Sequence, residues 1–141
     1  GASGRRFAGY ILEGGSPAYV QALEESVVAL MIEKREAVDD LEAILSVGGI
    51  DMVVFGPNDY SMSIGKPGAS ETPEVQEVQD RVYRTALRLG VQPRAEISTP
   101  EEAKPLLDMG VRHFCIGNDL GILHTWWTEN AQELGELIAG A

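Results

Sequence analysis

The sequence has little cysteine, few basic residues and no long apolar run, and each shortage excludes a class of protein. Its single cysteine, Cys115, excludes a disulfide within the chain and is typical of a reducing compartment. Lys and Arg number 11 against 22 Asp and Glu, so the formal net charge is −11 at pH 7. A surface of that sign repels phosphate backbones and anionic lipid headgroups, which argues against nucleic-acid and membrane partners. No apolar run approaches the roughly 18–20 residues of a membrane span.

Signals for secretion and for phosphate binding are also missing from the sequence. Residues Gly1 to Arg6 are not followed by the apolar region of a signal peptide, so we expect a cytoplasmic protein. Neither the G-x-G-x-x-G fingerprint nor a Walker lysine motif occurs, which disfavours nucleotide binding. What is present is a chain of 141 residues, 44% of them apolar, which is enough for one domain with a hydrophobic core.

Short apolar runs alternate with helical patterns along the chain. We predict four strands, the first two buried on both faces, over residues 27–32, 52–55, 91–97 and 113–116. We predict five helices, three of which start at a Ser/Thr-Pro pair, near residues 16–25, 35–47, 74–89, 98–110 and 125–139. Residues 56–73 are rich in Gly, Pro and Ser and are expected to form a loop. The alternation predicts an α/β fold of right-handed βαβ units, with a parallel sheet covered by helices.

Two architectures fit this pattern: a small open doubly wound sheet, or one half of an eight-stranded (β/α) barrel. The doubly wound sheet would be expected to carry a phosphate-binding loop early in the chain. The barrel places its functional residues at the C-terminal ends of its strands, but a complete barrel needs about 250 residues. An isolated half would leave two strand edges and half of the core exposed.

Two acidic residues, Glu33 and Asp59, each follow one of the first two apolar runs. If these runs are neighbouring parallel strands, both carboxylates lie at the same edge of the sheet and can converge on one divalent cation. Carboxylate oxygens suit Mg²⁺ or Mn²⁺ and also accept Co²⁺. The sequence therefore predicts half of a metal site, whose remaining ligands come from water, substrate or another segment.

Met-Ile-Glu-Lys surrounds the first of these acids and Gly-Pro-Asn-Asp ends at the second, and both segments resemble motifs of the HpcH/HpaI aldolase/citrate lyase family of metal-dependent (class II) pyruvate aldolases. That family has an acid in a Q-I-E-T-like motif, followed by G-V-D-x-x-F-x-G-P-x-D-L-S. This sequence has Met-Ile-Glu-Lys at 31–34 and Gly-Ile-Asp-Met-Val-Val-Phe-Gly-Pro-Asn-Asp-Tyr-Ser at 49–61, with no gap in the spacing of the two acids. The likeness extends to the Thr-Pro-Glu helix start at 72–74 and the Gly-Asn-Asp turn at 117–119.

The resemblance implies that the chain is the C-terminal half, strands five to eight, of a TIM-type (β/α)₈ barrel. It implies that Glu33 and Asp59 bind the metal, and that the Gly56-Pro57-Asn58-Asp59 motif binds substrate through the backbone N–H groups of Asn58 and Asp59. The implied reaction cleaves or forms a C–C bond of a small 2-oxo acid. A divalent cation, Mg²⁺ or Mn²⁺ or Co²⁺, would stabilise the pyruvate-type enolate in that reaction.

Departures from the family pattern keep a second interpretation open. The family's catalytic histidine and substrate-binding arginine lie upstream of anything here, so activity is expected to need an N-terminal half-barrel. The glutamine of the family motif is Met31 in this chain. Alternation places Arg94 and Glu96 on one face of the third strand, where they either contact the substrate or pair with each other. The alternative function is a non-catalytic half-barrel that acts as an assembly or interaction unit.

The tail contains two adjacent tryptophans, Trp126 and Trp127. Neighbouring positions on a helix cannot both face one core, so at least one ring is expected to pack on something else. The family's last helix often crosses to a neighbouring subunit. The resemblance therefore implies a homo-oligomer in which residues 125–141 form a subunit contact, with local packing as the other interpretation.

Overall fold

The structure, a computed structural model, describes residues 15–140 and contains a four-stranded parallel sheet. Its strands are β1 (Ala29–Ile32), β2 (Met52–Phe55), β3 (Gln92–Ile97) and β4 (His113–Ile116), paired in the order β1-β2-β3-β4. In a doubly wound sheet the strand order reverses at a switch point, whereas consecutive (β/α) barrel units keep sequential order. The sheet therefore has the barrel-type order. The expectation about residues 1–6 lies outside the described residues.

Seven α-helices accompany these strands within residues 15–140. They are α1 (Pro17–Glu24), α2 (Arg35–Asp39), α3 (Leu41–Leu45), α4 (Pro57–Ser63), α5 (Pro73–Arg88), α6 (Ala103–Met109) and α7 (Asp119–Ala139), and a 3-10 helix (Pro100–Glu102) leads into α6. The start of α1 follows its sequence signal, because the Ser16 hydroxyl accepts a hydrogen bond from the Tyr19 amide at 3.2 Å. No helix within residues 15–140 combines the length and the apolarity needed to cross a bilayer.

Three predicted boundaries are wrong. The single helix expected over residues 35–47 is interrupted at Asp40, which separates α2 from α3. The expected loop 56–73 contains α4, since Gly56 caps a helix whose first position is Pro57. The last helix begins at Asp119 instead of residue 125, because the Asn118 side chain accepts a hydrogen bond from the Gly121 amide at 2.7 Å.

The hydrophobic core lies between one face of the sheet and the helices α2, α3, α5 and α6. Alternate strand residues point into it, namely Ile32, Val53, Phe55, Ala95 and Ile97. The facing stripe of α5 consists of Val75, Val82, Tyr83 and Ala86, at helical spacing. Complete burial of a side chain such as Val82 contributes about 1.5–3 kcal/mol to the stability of the fold.

The other face of the sheet, which we call the open face, carries Met31, Arg94, Glu96 and His113. The register supports this grouping, since Arg94 lies opposite His113 and successive side chains of a strand point to opposite faces. Contrary to the prediction that the first strand is buried on both faces, Met31 is 52% exposed. The reason is that the core built by the helices lies on the opposite face.

Candidate active site

The carboxyl ends of β1 and β2 bring Glu33 and Gly56 into contact. Ile32 lies opposite Phe55, and the Gly56 amide donates a hydrogen bond to the Ile32 carbonyl oxygen at 3.0 Å. A β-carbon added to Gly56 would stand 3.0 Å from Cβ and 3.1 Å from Oε2 of Glu33. Glycine at residue 56 therefore leaves the space that the Glu33 side chain occupies.

Asp59 lies in the first turn of α4, which begins directly after β2. The Tyr60 amide donates to the Gly56 carbonyl oxygen at 2.9 Å and closes this first turn. Because β1 and β2 are paired neighbours, Glu33 and Asp59 follow adjacent strands at one edge of the sheet, and both are half-buried. The N–H groups of the first helical turn lack acceptors within the helix, so Asn58 and Asp59 present donors at this edge.

Met31 lies beside the same glycine. The added β-carbon at Gly56 would stand 3.4 Å from the Met31 sulfur, so the thioether and the Glu33 carboxylate are both next to this backbone. A thioether is only a weak hydrogen-bond acceptor, whereas the glutamine of the family motif both donates and accepts. The site thus has an apolar wall at this position.

Hydrogen bonds join the segment after Glu33 to the end of α4. The Arg35 amide donates to the Ser63 hydroxyl at 3.1 Å, and the Arg35 guanidinium donates to the Ile64 carbonyl oxygen at 3.4 Å. Within α4, the buried Ser61 hydroxyl donates to the Asn58 carbonyl oxygen at 2.7 Å. These bonds hold the two segments that carry the acids in a fixed relation.

The donor chemistry of the edge fits a hard divalent cation. Glu33 and Asp59 are both carboxylates, and the Gly56 backbone leaves room for the first of them. Within residues 15–140, no group of three His, Cys, Asp or Glu side chains is arranged to hold a metal ion. Mg²⁺ is commonly bound through one or two carboxylates, with water and substrate completing the shell. Two carboxylates from this chain match that pattern.

Arg94 and Glu96 pair with each other on the open face. Nη1 of Arg94 lies 3.4 Å from Oε1 of Glu96, and the two side chains are 33% and 59% exposed. An ion pair of this exposure contributes at most about 1 kcal/mol. The sequence allowed two interpretations of these residues, contact with the substrate or pairing with each other, and the pairing is present. Both charged groups stay accessible from the open face.

Tyr83 of α5 is a member of this region that the sequence did not reveal. The pKa of its hydroxyl is raised to about 12, chiefly by burial and in smaller part by the charge of Glu96. A hydrogen bond with the Phe55 backbone and the charge of Arg94 act in the opposite direction and lower the pKa. The phenol is therefore neutral at physiological pH. Its place in the apolar stripe of α5 predicts a core residue, and no local pattern indicates its electrostatic coupling to β3.

A cavity of about 710 Å³ adjoins the edge and is lined by residues of α5, of α6 and of the carboxyl end of β3. Pro57 and Glu96 belong to its walls, so it meets the predicted site residues. Its volume is within the range of pockets that bind small molecules. The lining comes from segments far apart in the chain, and for this reason the sequence did not predict it.

Sequential parallel strands with acidic residues at their carboxyl ends define a protein of the (β/α)-barrel class. The family model of HpcH/HpaI aldolase/citrate lyase matches residues 5–123. The chain belongs to the HpcH/HpaI aldolase/citrate lyase family, as its motifs predicted.

Individual relatives agree with this assignment. The chain is 37% identical over 114 residues to the pyruvate aldolase of Rhizobium etli, covering 78% of this chain and 44% of the relative. It is 34% identical over 108 residues to the 4-hydroxy-2-oxo-heptane-1,7-dioate aldolase of Shigella sonnei, covering 76% and 41%. The crystal structure of the HpcH/HpaI aldolase from Desulfitobacterium hafniense DCB-2 matches with a TM-score of 0.76 and 27% identity, over 90% of this chain and 49% of that one.

The chain spans about half the length of the relatives it matches. Together with the sequential parallel sheet, this confirms the predicted fold, one half of a TIM-type (β/α)₈ barrel. The open face and the two outer strands are then the surfaces that face the other half in a complete barrel.

Proposed function

We propose that this chain is the metal-binding, C-terminal half of a carbon–carbon lyase that cleaves or forms a C–C bond of a 2-oxo acid. The observation that carries the proposal is the contact of Glu33 with Gly56, at the edge of the sheet where α4 begins. The first turn of α4 carries Asp59. Membership of an aldolase family, and relatives named as pyruvate and 4-hydroxy-2-oxo acid aldolases, support the reaction class.

Each residue of the motif has a role in this proposal. Glu33 and Asp59 hold a divalent cation, Mg²⁺ or Mn²⁺ or Co²⁺, which when bound would supply Lewis-acid stabilisation of the negative charge that develops on the 2-oxo acid. The N–H groups of Asn58 and Asp59 donate hydrogen bonds to the substrate carboxylate. Gly56 admits the Glu33 side chain, and Pro57 sets the start of α4 that aims these donors.

Arg94 and Glu96 form the polar side of the substrate site in this proposal. Both lie on the open face, and their ion pair is exposed enough to exchange one partner for a substrate group. The guanidinium can bind a carboxylate, and the Glu96 carboxylate can accept a hydrogen bond from a hydroxyl group.

The site is completed by an N-terminal half-barrel, within a longer polypeptide or as a separate chain. Met31 on β1 and Ile116 on β4 are 52% and 57% exposed, on the two outer strands of the sheet. Each of these strands leaves one edge unpaired within residues 15–140, and in a complete barrel such an edge pairs with a further strand. The base that moves the proton in the reaction would come from that half. We call this complex the assembled protein.

The helix α7 packs on a neighbouring subunit of a homo-oligomer. It has 21 residues, none of which is buried. Trp126 and Trp127 are 52% and 63% exposed, and their rings meet edge to face with centroids 4.7 Å apart. Further exposed apolar side chains of this helix are Leu120, Ile122, Leu123, Leu134, Leu137 and Ile138. A surface of this extent is typical of a protein–protein interface.

The alternative is a half-barrel that serves only as an assembly unit. It is favoured by the finding that no three metal-binding side chains converge within residues 15–140. The two functions differ in their response to metal. The lyase predicts pyruvate release from a 4-hydroxy-2-oxo acid by the assembled protein, dependent on Mg²⁺ or Mn²⁺. A demonstrably complete assembly that releases no pyruvate from any of several such acids, with no metal-dependent thermal shift, would leave the assembly unit as the function.

A further inference from the structure

The pairing between β2 and β3 stops short of the carboxyl edge of the sheet. The last pair joins Val53 to Pro93, whereas β2 continues to Phe55 and β3 continues to Ile97. On its other side, β2 stays paired with β1 to the end, where Phe55 lies opposite Ile32. The sheet therefore opens between β2 and β3 directly before the edge that carries the two acids.

The Phe55 amide points into this opening. Successive amides of a strand point to opposite neighbouring strands. The amides of Met52 and Gly56 donate to the carbonyl oxygens of Val28 and Ile32, at 3.1 and 3.0 Å, on the side of β1. The amide of Phe55, one residue before Gly56, therefore faces β3 and needs an acceptor other than the interrupted ladder.

The hydroxyl of Tyr83 enters the opening from the helix side of the sheet. It is hydrogen-bonded to the Phe55 backbone, and this bond lowers the pKa of the hydroxyl, which is the effect of a hydrogen bond donated to a phenol oxygen. The Phe55 amide is therefore the donor, and Oη of Tyr83 is the acceptor. The charges of Glu96 and Arg94 also act on this hydroxyl, so it is coupled to the ion pair of the open face although Tyr83 is a buried residue of α5.

Phe55 connects this hydrogen bond to the edge that carries the acids. Its backbone continues into Gly56, whose position lies against the Glu33 side chain. Its ring lies against the ring of Tyr60 in α4, with centroids 5.4 Å apart, and Tyr60 directly follows Asp59. A shift of the Phe55 backbone would therefore act on both of the segments that carry the acids.

Resting on the proposed function, we propose that Tyr83 is a positioning residue of the metal site, whose hydroxyl fixes the end of β2 so that Glu33 and Asp59 reach the same cation. Without the hydroxyl, the Phe55 amide loses its acceptor and the end of β2 is free to move towards β3. The core itself is retained in Tyr83→Phe, because the two rings have nearly the same volume. Groups that orient metal ligands without touching the metal change its affinity when they are removed.

The experiment compares Mn²⁺ binding by the assembled protein with that of its Tyr83→Phe and Val82→Ala variants. Val82 is a buried neighbour on α5, and its truncation lowers the stability of the core but leaves the Tyr83 hydroxyl in place. In calorimetric titrations, we expect Tyr83→Phe to bind Mn²⁺ about tenfold more weakly than the parent and Val82→Ala to bind like the parent. An unchanged affinity in Tyr83→Phe, or equal losses in both variants, would overturn the inference.

Electron paramagnetic resonance of the bound Mn²⁺ provides a readout that a purely structural role of Tyr83 would not change. At saturating Mn²⁺, the zero-field splitting depends on how the ligands are arranged around the ion. We expect an altered splitting in Tyr83→Phe and the splitting of the parent in Val82→Ala. Identical spectra from all three proteins would show that the hydroxyl does not position the ligands.

The failure of this inference and that of the proposed function are distinguishable. Deuterium exchange at C3 of pyruvate tests the enolate chemistry in the parent protein without reference to Tyr83. Mn²⁺ binding and exchange by the parent, with an unchanged Mn²⁺ affinity in Tyr83→Phe, would overturn only the role of Tyr83. Absence of both Mn²⁺ binding and exchange from the assembled protein would overturn the lyase and, with it, the inference.

Discussion

The Glu33 side chain lies directly over Gly56, where a β-carbon would stand 3.1 Å from its Oε2 atom. Glu33 directly follows β1 and Gly56 directly follows the paired strand β2, so a side chain added at residue 56 would act on the Glu33 carboxylate. Gly56 has φ −103°, a value open to any residue, and its need for glycine is therefore steric and not conformational.

Gly56→Ala should displace the Glu33 carboxylate and weaken metal binding. The added methyl group requires Glu33 to move by several tenths of an ångström, and we expect the Mn²⁺ affinity of the assembled protein to fall by about tenfold or more. Isothermal titration calorimetry measures the affinity. Gly135→Ala in α7 is the control, since a β-carbon there has no heavy atom within 4 Å. Equal affinities in the two variants would contradict the steric role of Gly56.

The Arg94–Glu96 ion pair should contribute little to stability. Both partners are partly exposed and the closest N–O distance is 3.4 Å, so solvent and salt screen the attraction. A double-mutant cycle with Arg94→Ala and Glu96→Ala, read by urea unfolding, is expected to give a coupling energy below about 1 kcal/mol that decreases with added salt. A coupling of several kcal/mol would show that the pair is structural and not free to exchange a partner for substrate.

Tyr83 should make the fold less stable above pH 10. The ordinary pKa of a tyrosine hydroxyl is 10.0 and burial raises that of Tyr83 to about 12, so the folded protein binds more protons between these values. Stability from this group is complete below pH 10 and is lost as the pH rises towards 12, by about 2–3 kcal/mol in total. Urea unfolding at pH 9 and pH 11.5 measures the loss in the parent protein and in Tyr83→Phe. The Tyr83→Phe variant should lack this part of the pH dependence. Identical losses of stability in the two proteins would show that Tyr83 is not the titrating group.

Trp126→Glu should dissociate the oligomer without unfolding the subunit. The indole is 52% exposed, so the change removes no core contact, and in the proposed homo-oligomer it would place a charge in the contact between subunits. Sedimentation velocity is expected to show a smaller species, and circular dichroism an unchanged helix content. Glu133→Gln, on the same helix, serves as the matched control. If Trp126→Glu and the parent protein sediment alike, α7 does not form the subunit contact.

The strands and most helix starts could be predicted because their signals are local. β2 follows its apolar run residue for residue, and Ser16-Pro17 caps α1 as its chemistry indicates. The start of α4 was missed although Gly56-Pro57 and the acid at residue 59 are also a helix-start signal, because the Ser- and Gly-rich residues after them favoured a loop. The break at Asp40 has no comparable local signal.

The sequence predicts those residues of the candidate site that come shortly after a strand, but not the contacts between side chains of separate elements. Glu33 and Asp59 were found because Glu33 directly follows β1 and Asp59 comes four residues after β2, and barrel topology places such residues at one edge. The contact of Met31 with the Gly56 position, the coupling of Tyr83 to β3 and the cavity between α5 and α6 depend on side chains from separate elements. Periodicity within one element carries no information about such contacts.

Calorimetric titration of Mn²⁺ into the assembled protein and its Glu33→Gln and Asp59→Asn variants tests most directly whether these two acids bind the metal. We expect one site per chain in the parent protein, with Mn²⁺ affinity reduced by more than about tenfold in each variant. Glu36→Gln, an exposed acid of α2 three residues beyond Glu33, should bind like the parent. Undiminished Mn²⁺ binding by both the Glu33→Gln and Asp59→Asn variants would show that these carboxylates do not hold the metal.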